Sequence, residues 1–180
     1  MSDLILFNKP YGVICQFSAD GKHPTLKDYI AVKDVYAAGR LDTDSEGLLV
    51  LTSDGALQHK ISDPLHKFRK TYWVQVEGEP GAAALRQLEQ GVDVGDFVSA
   101  PAQARAMAEP SGLWPRDPPI RFRKAIPSAW LELTIAEGKN RQVRRMTAKV
   151  GLPTLRLIRY RIGDWTLDGI APGEWRRVNT

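Results

Sequence analysis

Two short apolar runs, Val35-Tyr36-Ala37-Ala38 and Leu48-Leu49-Val50-Leu51, enclose the stretch Gly39-Arg40-Leu41-Asp42-Thr43-Asp44-Ser45-Glu46-Gly47. Runs this short, bounded by glycine, read as buried strands rather than helices. The chain must therefore turn at a segment that sets three acids, Asp42, Asp44 and Glu46, against one base, Arg40. Strands hold such a turn rigidly, and a rigidly held Asp is a candidate nucleophile or base.

At 180 residues the chain fits one domain, or one domain with two lobes. Its apolar fraction of 43% and charged fraction of 26% are those of an ordinary soluble globule. No apolar run approaches a membrane span, and the start Met1-Ser2-Asp3-Leu4 lacks the basic region of a signal peptide. The single cysteine, Cys15, cannot form an internal disulfide and reads as a packed hydrophobe, so the cytoplasm is the expected compartment. The net charge of +4 is unevenly placed. From Lys139 to Arg161 there are eight bases and no acid, which leaves 17 bases against 21 acids in the rest of the chain. A mildly acidic body with one basic face favours a polyanion as partner over a merely solvated surface.

Strands are expected over 4–7, 71–76, 130–135 and 155–160, with weaker ones near 92–94, 102–107, 165–167 and 174–176. Thr25, with Asp28 three residues on, predicts a capped short helix to 30. Helices are also expected over 54–61, 80–90 and 141–150, ended by Pro64, Gly91 and Gly151 respectively. Residues 109–128 carry five prolines with Arg116, Arg121, Arg123 and Lys124, a composition suited only to a long surface loop. The irregular alternation of strands and helices predicts an α+β fold with a mixed or mostly antiparallel sheet.

On the helix over 141–150, Val143, Met146, Thr147 and Val150 share one face and Arg141, Arg145 and Lys149 the other, with Arg144 at the edge of the apolar stripe. An arginine at that edge is partly desolvated and needs an anion, which could be any nearby Glu or could be Asp42. Tyr72 follows the basic stretch His66 to Lys70; it is either an ordinary half-buried strand residue or a base-stacking one beside phosphate-binding cations. Asp42-x-Asp44-x-Glu46-Gly47 starts like a calcium loop, but Ser53 stands where the closing Glu belongs and strands flank it. An aspartyl phosphotransferase would need helical crossovers that the spacing lacks. The histidines offer no zinc spacing, and no phosphate loop or dinucleotide fingerprint occurs.

Four segments in order resemble the pseudouridine synthases, specifically the RsuA-like group that acts on ribosomal RNA. They are Leu6-Phe7-Asn8-Lys9-Pro10-Tyr11-Gly12, Ala38 through Leu49, Lys70-Thr71-Tyr72, and Glu137 through Met146 with its Gly-Lys-Asn-Arg-Gln-Val-Arg-Arg core. The resemblance implies a mixed, mostly antiparallel sheet in two lobes with a central catalytic cleft. It implies an isomerase that turns uridine into pseudouridine in large-subunit (23S) ribosomal RNA, with no metal or other cofactor. Asp42 becomes the catalytic carboxylate, which either attacks the sugar or takes its 2′ proton. Arg144 becomes its partner, and Tyr72 the residue that stacks on the uracil. Arg40 would fill the space the base leaves or hold a phosphate. Lys70, Lys139, Arg141, Arg145, Lys149 and the loop residues Arg121 and Arg123 would carry the RNA backbone. Relatives of this group commonly begin with a small S4 RNA-binding domain; this chain starts at the first catalytic strand, so a single catalytic domain over 1–180, acting as a monomer on ribosomal RNA or a subunit-assembly intermediate, is expected. The retained alternatives are a non-catalytic RNA-binding module and a metal-dependent phosphotransferase.

Overall fold

The computed structural model describes residues 2–66 and 68–179. These fall into two units, 1–68 with 159–180, and 69–158.

In the first unit, β1 (Leu4–Lys9) and β3 (Glu46–Thr52) pair antiparallel, from Leu4 opposite Thr52 to Lys9 opposite Gly47. Every residue of both strands is buried, which is why each reads as a continuous run instead of an alternating one. β2 (Tyr36–Ala38) adds to the far half of β3, with Ala38 opposite Val50. The strand β9 (Trp175–Arg177) covers the other edge of β1, with Phe7 opposite Trp175. Ile5, Phe7, Leu49 and Leu51 pack with Val13, Leu26, Ile30 and Val35 in one core. Helix α1 (Gly55–Ser62) starts where Asp54 accepts hydrogen bonds from the Ala56 and Leu57 N–H groups. The expected helix at 25–30 is only a 3-10 turn over Leu26–Asp28, although the Thr25 N–H does donate to the Asp28 carboxylate at 2.9 Å.

In the second unit, β4 (Lys70–Glu77), β6 (Ser128–Ile135) and β5 (Gln103–Met107) form an antiparallel group with β6 in the middle. Tyr72 lies opposite Leu133, and Val74 opposite Leu131. Helices α2 (Ala82–Gln90) and α3 (Gln142–Lys149) bury Leu88, Val143 and Met146 against Tyr72, Val74 and Leu133. At 92–94 a single bridge, Asp93 to Val98, replaces the expected weak strand. No strand or helix occupies 108–127, in keeping with the prolines. This loop is nevertheless tied down. Arg116 donates to the Pro118, Pro119 and Leu155 carbonyls, and the Arg156 guanidinium lies 5.6 Å from the Trp114 ring centre. The strand β7 (Thr154–Ile162) begins in this unit, passes into the first at Arg159, and turns back on β8 (Trp165–Thr166) with Ile162 opposite Trp165.

Candidate active site

The carboxylate segment is the loop between β2 and β3, as its flanking apolar runs predict. Asp42 is half-buried at the head of a tight turn, in which the Ser45 N–H donates to the Asp42 carbonyl at 3.0 Å. Thr43 anchors the loop to the segment after β1. Its carbonyl accepts from the Gly12 N–H at 2.8 Å and from Lys9 Nζ at 3.4 Å. Ser45 and Glu46 are buried behind it, and Arg40 is exposed.

Lys9 is not legible as a site residue from local sequence, because the apolar run ends at Phe7 and Pro10 follows it. Its side chain is fully buried, and Nζ donates to the Val13 carbonyl at 2.8 Å and the Pro10 carbonyl at 2.9 Å as well as to Thr43. The available signal is its place two residues beyond the apolar run 4–7, which the structure extends to Lys9 as the end of the fully buried β1. Burial lowers its pKa from 10.5 to about 8, while Cys15, Glu46, Asp44 and Asp42 act in the opposite sense and help it keep its proton. Below pH 8 folded and unfolded chains both carry that proton, so burial of the charge opposes folding in full. As the pH rises from about 8 towards 10.5, only the unfolded chain keeps the proton, and stability gains up to roughly 3 kcal/mol from this group. Urea unfolding at about pH 7.5 and pH 10 should therefore show a rise in wild type that Lys9→Met lacks; equal pH slopes in both would contradict it.

The second unit carries the other candidates. Tyr72 is 8% exposed and belongs to the core cluster. Arg144 is half-buried on α3, next to the stripe Val143, Met146, Thr147. The turn before α3 is held by Glu137 and Gln142. Gln142 Nε2 donates to the Glu137 carboxylate at 2.7 Å, and the Lys139 N–H donates to Gln142 Oε1 at 3.2 Å. Lys70 Nζ lies across Gly138, where a Cβ would stand 3.1 Å from it. Arg141 has φ 53°, a left-handed conformation that costs a non-glycine residue about 1 kcal/mol.

The basic face is smaller than the charge count implies. Arg156 and Arg159, two of the eight bases counted over 139–161, are buried on β7. Arg145 was expected to face a ligand freely; it donates to Asp96 at 2.9 Å and to the Val94 carbonyl at 3.3 Å, and it lies 5.3 Å from the Phe97 ring centre. Asp96 comes from a distant part of the sequence, so the absence of acids within 139–161 did not reveal it. Lys139 also stands over Phe97, at 4.4 Å, while Arg141 and Lys149 are exposed. Arg121 and Arg123 are exposed on the loop, with Arg123 Nε 3.6 Å from Glu77. Among the described residues no cluster of three or more His, Cys, Asp or Glu has the arrangement of a metal site. No helix there is long and apolar enough to cross a membrane.

The family model for RNA pseudouridylate synthase matches residues 3–149. A ribosomal large subunit pseudouridine synthase E from Xanthomonas axonopodis is 62% identical over 171 residues, covering 94% of this chain and 90% of the relative. The protein of that name from Vibrio vulnificus is 56% identical over 98% of this chain and 75% of its own length. A ribosomal small subunit pseudouridine synthase A from Yersinia pestis is 36% identical over 97% of this chain and 68% of its own. A crystal structure of a pseudouridylate synthase superposes with a TM-score of 0.81 at 28% identity, covering 99% of this chain and 71% of that one. The chain thus belongs to the RNA pseudouridylate synthase family, in its RsuA-like branch, and is an α+β enzyme that isomerises uridine to pseudouridine.

Proposed function

We propose that this enzyme modifies large-subunit ribosomal RNA, acting on a flipped-out uridine with Asp42 as the catalytic carboxylate. The observation that supports this substrate most is the contrast between relatives: the large-subunit enzymes are 62% and 56% identical, the small-subunit enzyme 36%. In the reaction the C1′–N1 bond breaks, the base rotates, and C1′ joins C5. The C5 proton leaves and N1 gains one, so atoms and electrons balance with no redox partner. Asp42 acts as an ionised carboxylate on the sugar, by attack or by removing the 2′ proton. Arg144 serves as its basic partner, as the resemblance to the family implies. Tyr72 lies against the uracil and assists loss of the C5 proton, while eversion of the nucleotide costs a few kcal/mol. Arg40 occupies the space left in the RNA or holds a phosphate. Lys70, Lys139, Arg141, Lys149, Arg121 and Arg123 serve the backbone, with Arg145 contributing through a charge it shares with Asp96.

Because the C5 hydrogen is lost, RNA tritiated at C5 of uridine reports turnover directly. Release from large-subunit transcripts or assembly intermediates, with none from small-subunit RNA, is the expected result. Release from small-subunit RNA alone would overturn the substrate assignment. Neutralising Lys139, Arg141 and Lys149 together should lower the slope of log affinity against log salt by about 2, at roughly 0.7 per phosphate contact. An unchanged slope would place the RNA on another face.

A further inference from the structure

One side chain binds both ends of the carboxylate loop. Arg159, on β7, is 4% exposed. Its Nε donates to the Leu48 carbonyl at 2.9 Å, and its Nη1 to the Arg40 carbonyl at 3.2 Å. Residues 40 and 48 bracket the segment that carries Asp42, so one guanidinium spans the loop's entry and exit. The fork is planar and rigid, which fixes the separation of the two carbonyls it holds. The backbone of the same residue reinforces the grip. A Cβ on Gly47 would overlap the Arg159 carbonyl oxygen and lie 2.7 Å from its nitrogen, so the two main chains are in close contact there.

Stability alone is a poor reason for this cation. Two of its nitrogens serve neutral carbonyls, and the third, Nη2, is buried with no hydrogen-bond partner. A buried donor left unsatisfied costs free energy, and apolar replacements of buried charges are often neutral or stabilising. A charge kept under those conditions points to a demand that packing does not meet, namely a fixed geometry for the loop.

We propose that Arg159 is a positioning residue for the reaction: by clamping the Arg40 and Leu48 carbonyls it holds the loop, and with it the Asp42 carboxylate, at the distance the sugar requires. This rests on the reading of Asp42 as the reacting carboxylate. Arg159 acts only through the loop and touches neither sugar nor base. A displacement of about 1 Å at a reacting group lowers the rate on the order of a hundredfold. Apart from Arg40, the exposed cations given to the RNA backbone lie outside this loop, so RNA affinity should change little.

The test compares Arg159→Lys and Arg159→Met with Asp42→Asn, each in the full chain, using C5-tritium release for kcat and KM. Hydrogen exchange of the amides in 41–46 is measured in parallel. Lysine keeps the charge but replaces the planar fork by a single nitrogen on a flexible stem, so it cannot hold the Leu48 and Arg40 carbonyls at the spacing that separate Nε and Nη1 donors set. Folded Arg159→Lys should lose kcat by on the order of a hundredfold with KM within about threefold, and exchange in 41–46 should accelerate. Folded Arg159→Met should lose at least as much. A wild-type kcat in Arg159→Lys overturns the proposal, as does a loss confined to KM; should Arg159→Met not fold, the lysine variant decides alone. An inactive Asp42→Asn beside a fully active Arg159→Lys would refute only the role of Arg159, whereas an active Asp42→Asn would refute the reading on which it rests.

Discussion

Asp42→Asn is expected to lower turnover by roughly 10⁴-fold, the scale seen when one reacting group is removed. The substitution keeps the size and shape of the side chain. The turn at this position is made by main-chain groups, the Ser45 N–H on the Asp42 carbonyl and the Gly12 N–H on the Thr43 carbonyl, so neither bond depends on the carboxylate. Folding and RNA affinity should therefore survive while conversion does not. Asp44→Asn is the matched control. Asp44 is also half-buried on the same loop and also acts on the Lys9 charge, so any general effect of removing a negative charge appears in both variants. Tritium release with parallel binding isotherms separates the two. A loss of similar size in Asp44→Asn would mean that the loop's total charge matters and that no single carboxylate reacts.

The second large effect concerns stability. Gly47 has φ 111°, and an added Cβ would run into the main chain of Arg159, with the nitrogen at 2.7 Å and the carbonyl carbon at 3.0 Å. A side chain there is strained by its own backbone and blocked by backbone that cannot rotate away. Gly47→Ala should cost roughly 3–5 kcal/mol, at the upper end of point-mutant effects, and lower Tm by about 10 °C or more. Gly12→Ala isolates the first component. It has φ 87° with nothing within 4 Å of an added Cβ, so only the strain of about 1 kcal/mol applies. Thermal melts of the two variants should differ accordingly. A Gly47→Ala protein as stable as Gly12→Ala would mean that β3 and β7 can separate at this point.

The buried strands were legible because each carries an unbroken apolar run, and so was the loop between β2 and β3, since Gly39 and Gly47 end the runs on either side. The core stripe of α3 followed from helical spacing, and Val143, Met146 and Thr147 are buried as that spacing requires. Sequence spacing does not register partners brought from far along the chain. Arg145 looked free because Asp96 lies 49 residues away, and Arg159 looked like surface because its carbonyl partners lie 111 and 119 residues away. Burial of charge was illegible for a related reason. Lys9 and two of the three Arg159 nitrogens bond to main-chain carbonyls, and carbonyls leave no mark in composition. The 25–30 helix shortened to a single 3-10 turn because its capping signal is local, whereas the length of a helix depends on the face it can bury.

Mapping pseudouridines across the ribosomal RNA of a strain that lacks this protein, complemented with wild type or with Asp42→Asn, tests the central claim most directly. One or more large-subunit uridines should remain unmodified without the protein, regain pseudouridine with wild type, and stay unmodified with the asparagine variant expressed at the same level. Restoration by Asp42→Asn would contradict the account.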